Sequence, residues 1–290
     1  MSLANFDERW DYNDPAGTEV IFRAMLDEIA FKDHPEYHLE LKTQIARTLG
    51  LQQKYRAGHT LLDEVEQALT PAYTIARIRY LLERGRIYNS AQNPELSLSF
   101  FMEAWELGLK EGADYYAVDA AHMMGTAASP DVQLEWNEKA VELAEKSQDP
   151  RAKEWLGSLY NNIGWTYHGN GEFNKALDAF NKTYDWYASK NDLKFMQIAK
   201  WSAARTHRSL GNIDIALEMQ TTLARDMATS GEEDGYVYEE IAECFQGMGE
   251  PEKARPYFLK AWKILSQDPW LQQNESERLE RLNALGQPAP

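Results

Sequence analysis

The chain has 290 residues, 46 acidic against 30 basic, a formal charge of -16, and 43% hydrophobic with 26% charged side chains. This composition belongs to folded soluble chains rather than disordered ones, and its sign argues against general nucleic-acid binding, which needs a basic footprint for phosphates. No apolar run reaches the roughly 18 residues of a membrane span, no basic-then-apolar leader opens the chain, and the single cysteine excludes a disulfide framework, so a cytoplasmic location is expected.

Met1, Ser2 and Leu3 are compatible with a cloning remnant and carry no weight. Asn13 or Asp14 can cap a helix starting at Pro15, with Val20, Ile21, Met25, Leu26 and Ile29 on one apolar face, and residues 1–38 are expected to cap the fold. From Leu39 onward, helix pairs recur. Ile45, Ala46 and Leu49 precede Tyr55, Gly58, Leu62 and Val65. Leu81, Gly85 and Tyr88 precede a turn at Asn93 and Pro94, then Leu98, Phe101 and Ala104. Ala117, Ala121 and Met124 lead a third pair, completed after Ser129 and Pro130 by Leu134, Trp136 and Ala140. The fourth pair puts Tyr160, Ile163, Gly164 and Tyr167 at helical spacing, breaks at Gly169, Asn170 and Gly171, and resumes with Phe173, Ala176, Leu177, Phe180 and Tyr184. Ala203, Ala204, His207, Gly211, Ala216 and Leu223 mark a fifth; Tyr238, Ile241, Ala242, Phe245, Gly249, Ala254, Phe258 and Ala261 mark a sixth. Residues 39–268 thus hold six pairs. Leu271, Leu279 and Leu282 lie in a polar closing helix within 269–290, and Gly286 to Pro290 are expected to fray.

Ile163, Gly164, Tyr167, Gly171, Ala176 and Phe180 resemble the tetratricopeptide repeat (TPR) pattern, with Thr183 where that family usually has Ala. The resemblance implies an all-α, right-handed superhelical solenoid of antiparallel helix hairpins, TPR-like, with about six repeats between terminal capping helices. Corresponding positions Val65, Ala104, Ala140, Thr183, Leu223 and Ala261 lie 39, 36, 43, 40 and 38 residues apart. The family period is about 34. The excess is expected to lengthen helices near the joints around Lys146 to Pro150 and Ser189 to Asp192. Because a repeat array grows by stacking, one array over 1–290 without a linker is expected. Arrays with longer helices resemble bacterial peptide-responsive regulators and signalling scaffolds.

Catalytic chemistry finds little support. His34 and His38 have the four-residue spacing of a metal pair, but Pro35 favours a helix start and leaves His34 outside the regular turn, so no metal site is expected. No HExxH, phosphate loop, nucleophile elbow or paired-cysteine motif occurs, and no cofactor is expected. Acidic pairs such as Glu232 with Glu233, or Glu239 with Glu240, read as a solvated face, and Cys244 as a buried helical thiol.

The informative surface is the face of each first helix that lines the groove in TPR arrays. Superposing the pairs on their small residues puts Arg47, Arg86, His122, Trp165, Arg205 and Glu243 at one equivalent position, and Thr43, Leu82, Val118, Asn161, Trp201 and Glu239 one turn earlier; Arg79, Tyr115 and Arg208 add the outer turn. The candidate binding residues are Arg79, Arg86, His122, Asn161, Trp165, Trp201, Arg205 and Arg208. Arginine can fork onto carboxylates, Asn161 resembles the groove asparagine with which peptide-binding TPR domains hold a ligand backbone, and the indoles can cover apolar side chains. The lysine, asparagine and arginine clamp of chaperone-binding TPR domains is not reproduced. The tryptophans equally suit packing between hairpins, and the arginines equally suit internal pairing with Asp and Glu. The expected function is a non-enzymatic scaffold or adaptor that binds a protein or peptide carrying acidic or carboxylate groups. The alternative is a bacterial regulatory sensor whose curvature responds to a short peptide or small acidic ligand.

Overall fold

A computed structural model describes residues 3–288. It is all helical, with no strand among the described residues. A 3-10 turn, Phe6–Arg9, precedes α1 (Pro15–Asp27). Six hairpins follow: α2 (Pro35–Leu51) with α3 (Tyr55–Ala68), α4 (Thr74–Ser90) with α5 (Pro94–Lys110), α6 (Asp114–Ala127) with α7 (Pro130–Lys146), then, after a short α8 (Pro150–Lys153), α9 (Leu156–Gly169) with α10 (Phe173–Ser189), α11 (Leu193–Ser209) with α12 (Ile213–Thr229), and α13 (Gly235–Gly247) with α14 (Pro251–Leu265). Short helices α15 (Pro269–Asn274) and α16 (Ser276–Gly286) end the described chain. Met1, Ser2 and the last two residues of the expected frayed tail lie outside the described residues.

The contacts group into two compact units, Met1–Leu159 and Tyr160–Pro290. Within the first, α2 packs on α3 and α4, α4 on α5, and α6 on α5 and α7. Within the second, α11 packs on α10 and α12, and α13 on α12 and α14, with α16 against α14.

The hairpins obey one rule of packing. A small or short residue of the first helix stands sixteen positions before a buried residue of the second: Ala46 and Leu62, Gly85 and Phe101, Ala121 and Asn137, Gly164 and Phe180, Ala204 and Gln220, Ala242 and Phe258. At Gly85 and Gly164 a Cβ would come within 2.5 Å of the partner phenylalanine ring, so only glycine lets the helices approach this closely. The third and fifth hairpins fill the second position with a buried amide instead of an apolar side chain. Asn137 donates to the Gln133 carbonyl at 3.0 Å, and Gln220 to the Trp201 carbonyl at 3.3 Å.

Five of the six hairpin turns share one geometry. A residue with positive φ follows the first helix, and the amide of the very next residue bonds back five residues, as in Lys54 to Leu49, Asn93 to Tyr88, Glu172 to Tyr167, Asn212 to His207 and Glu250 to Phe245. Gly171, Gly211 and Gly249 supply the positive φ in three, whereas Gln53 and Gln92 supply it in two. The third hairpin lacks it, and Ala128 is extended instead. That turn explains why its sequence matches the repeat pattern least.

Two expectations about the helices need correction. On α1, Val20 and Ile21 are exposed, and Phe22, not part of the expected face, is fully buried against Phe6, Leu41 and Ile45. At Lys146 to Pro150 only the helix before the joint is long, α7 having 17 residues, and the rest of the joint holds the separate α8. At Ser189 to Asp192 the expectation of long helices holds, because α10 and α11 each have 17 residues and meet across a short joint at Asn191.

Candidate functional sites

In the first unit the predicted groove cations meet carboxylates of the same chain. Arg79, on α4, is buried; its Nη1 and Nη2 donate to the two oxygens of Asp7 at 3.1 and 2.5 Å, and its Nε donates to the Tyr116 hydroxyl at 3.2 Å. Glu40 Oε2 lies 3.0 Å from the same Nε. Burial pushes the Glu40 carboxyl up to about 7, against the pull of Arg79, with Glu36 and Asp7 adding to the rise. Arg86 donates to Glu83 and to Asp119 Oδ2, each at 2.6 Å. His122 sits 4.9 Å from the Trp155 ring, and burial pushes its imidazole below the ordinary range, which favours the neutral ring at pH 7.

In the second unit Trp165 and Trp201 lie 5.7 Å apart, and the Arg205 guanidinium stands 6.0 Å from the first ring and 5.6 Å from the second. Trp201 Nε1 donates to the Tyr236 carbonyl at 3.2 Å, which holds α11 against the first turn of α13. Arg205 and Arg208 converge on Glu240: Arg205 Nη1 donates to Oε1 at 3.0 Å, and Arg208 donates through Nε to Oε2 at 2.8 Å and through Nη2 to Oε1 at 3.0 Å. Two cations share one buried carboxylate, and Glu243, itself paired with Arg281, adds a further negative charge near Arg208. Asn161 Oδ1 is buried and has no hydrogen-bond partner among the described residues.

Beside this cluster lies a pocket of about 910 Å³, bounded by the first half of α11, the end of α12 and the start of α13. Leu193, Ile198, Trp201, Leu223, Met227, Tyr236 and Val237 make its apolar lining; Lys194, Gln197, Glu232, Glu233 and Asp234 are its polar members. Leu193 is 69% exposed and Ile198 39%. Asp234 accepts from the Tyr236 amide as the cap of α13, and Glu233 accepts from the Tyr238 hydroxyl and pairs with Lys260.

The structure thus divides the eight sequence-predicted residues. Arg79, Arg86 and His122 belong to the first unit; Asn161, Trp165, Trp201, Arg205 and Arg208 belong to the second. Sequence reasoning missed Asp7, Glu40, Glu83 and Asp119, and misplaced Glu239 and Glu240, which were expected on a solvated face but are buried and pair with Arg278 and with Arg205 and Arg208. Glu83 carried a signal, since it stands three residues before Arg86 on one helix. Asp7 carried none, being 72 residues from Arg79. No helix of the described residues is long and apolar enough to cross a membrane, and no group of metal-binding side chains occurs among them.

Residues 157–189 match the tetratricopeptide repeat family model, so the α9–α10 hairpin is a tetratricopeptide repeat, and the other hairpins are TPR-like. The fold is similar to that of the apo form of RapI, with 11% identity, a TM-score of 0.72, and coverage of 88% of this chain and 73% of that one. It is similar to the apo form of the quorum sensor NprR from B. thuringiensis at 15% identity and a TM-score of 0.61, covering 93% and 76%. It also resembles a signal-transduction ATPase of the STAND class with a tetratricopeptide repeat sensor from Pyrococcus horikoshii, at 11% identity and a TM-score of 0.68; there it covers 93% of this chain but only 42% of that one. No curated protein matches this chain.

Proposed function

We propose that the protein is a non-enzymatic peptide-binding module whose second unit takes a short segment of a partner protein at the Trp201 pocket. The observation that carries this reading is the apolar pocket of about 910 Å³ with Leu193 and Ile198 left open to solvent beside the Arg205 and Trp201 pair. Burying apolar area is worth about 25 cal/mol per Å², so an exposed leucine and isoleucine framing an indole reward an apolar side chain that enters between them. Arg205, stacked on Trp201 and about one-third exposed, has donors beyond the one given to Glu240 and suits a side-chain or terminal carboxylate of the same segment.

A second reading, a regulatory sensor, is favoured by the size of the pocket. About 300–1,000 Å³ is the range of small-ligand sites, so a few residues of peptide would fill it. The fold neighbours include a protein named as a quorum sensor and one with a named repeat sensor.

The test is selection of a random displayed peptide library on the wild type, Ile198→Glu and Arg205→Gln. Selected peptides should carry a bulky apolar residue near a carboxylate. Ile198→Glu should bind them about tenfold more weakly, roughly 1.4 kcal/mol, without a change in melting temperature, and Arg205→Gln should lose the acidic preference. No enrichment, or enrichment indifferent to both substitutions, overturns the reading.

A further inference from the structure

The segment before α1 makes the contacts of a bound peptide. From Leu3 to Asn13 its only regular element is the four-residue turn Phe6–Arg9; among the described residues no backbone–backbone hydrogen bond ties it to α2 or α4, and its end is held to α1 by the Asp11 backbone and the Thr18 hydroxyl. Phe6 is buried against Phe22 of α1 and against α2, with the Arg79 guanidinium 5.0 Å above its ring. Asp7 takes both terminal nitrogens of Arg79 in a fork. Trp10 stacks on Tyr12 and donates through Nε1 to Gln44 Oε1 at 3.1 Å, while Arg47 lies 5.7 and 5.3 Å from those two rings. The Ala4 carbonyl accepts from the Tyr37 hydroxyl at 2.8 Å.

Arg47 stands at the repeat position of Arg205, and Arg79 is at the outer turn of its helix. A forked carboxylate flanked by two aromatic anchors is how a peptide is recognised, with the charge setting register and the rings supplying area. Asp7 keeps 37% of its side chain exposed, and Tyr12 58%, so water reaches this contact without prior unfolding of α2 or α4.

We propose that the face of α2 and α4 in the first unit is a binding site for an aromatic–Asp–x–x–aromatic segment, held in cis by residues 3–13 of this chain and open to a partner peptide of the same chemistry that displaces them. The cis segment competes at the effective concentration of a short tether, so a free peptide gains access when the segment's anchors are weakened.

The probe is a fluorescein-labelled synthetic peptide of residues 3–12, offered to the full chain as wild type and as the Phe6→Ala/Trp10→Ala variant. The variant should bind it at least about tenfold more tightly than the wild type, at one peptide per chain, and a peptide carrying Asp7→Asn should lose about tenfold on the variant. Equal affinity of the two proteins, or equal affinity of the two peptides, overturns the proposal. Because Phe6 is a deep anchor, hydrogen exchange of the wild type supplies a second reading that needs no variant. Amides of residues 5–12 should exchange through a local opening while α2 and α4 stay protected. One common rate for the segment and both helices would mean a single cooperative unit and would also overturn the proposal.

Discussion

Glu40 is half-buried next to an arginine, and its carboxyl is raised because loss of water outweighs the attraction of Arg79. Its carboxyl moves from an ordinary 4.5 to about 7 on folding, so between those values the folded chain holds a proton that the unfolded chain releases. Stability from the neutral form is therefore complete below about pH 4.5, is lost as pH rises to about 7, and is level above that. Glu40→Gln, which fixes a neutral side chain, should gain on the wild type through this window. Urea midpoints of both proteins from pH 5 to pH 8 check it, and a difference that does not vary with pH contradicts the assignment. Residue chemistry of this kind was partly legible. Arg79, Arg86, Arg205 and Arg208 were recognisable as arginines on one helical face, but their partners were not. Glu240 lies 35 residues from Arg205 and 32 from Arg208, where helical spacing carries no information.

Within a hairpin, the pairing of glycine with phenylalanine sets the distance between helices. Gly164→Ala would drive a Cβ to 2.5 Å from the Phe180 ring, and Phe180 is fully buried with no room to retreat. Overpacking of this sort costs about 1–3 kcal/mol. Gly169→Ala makes the comparison: nothing lies within 4 Å of its Cβ position, it ends the same helix, and the substitution should be neutral or stabilise by up to about 1 kcal/mol. Chemical denaturation of the two variants checks both, and equal midpoints would refute the packing argument. The helices themselves were legible from apolar periodicity and turn residues. Where Asn137 and Gln220 replace the buried aromatic, or Gln53 and Gln92 take the left-handed turn usually given to glycine, the pattern fades although the hairpin persists, because packing and turn hydrogen bonds override local preference.

Over the whole chain, acidic residues exceed basic ones by 16, while the arginines of both candidate sites are paired internally. The field that an approaching polyanion meets is therefore negative. The protein should pass unretained through heparin at neutral pH and moderate salt, and retention there would reveal a basic surface that the ion pairs do not account for.

Helix positions, the six-hairpin count and the repeat resemblance follow from neighbours three to sixteen residues apart, and a linear reading captures them because helical geometry ties spacing to facing. The division into two units, the neutralising carboxylates, the cis placement of residues 3–13 and the Trp201 pocket arise from contacts between distant segments. Those depend on how helices stack, and stacking sets which charges meet and which apolar side chains stay open to a partner.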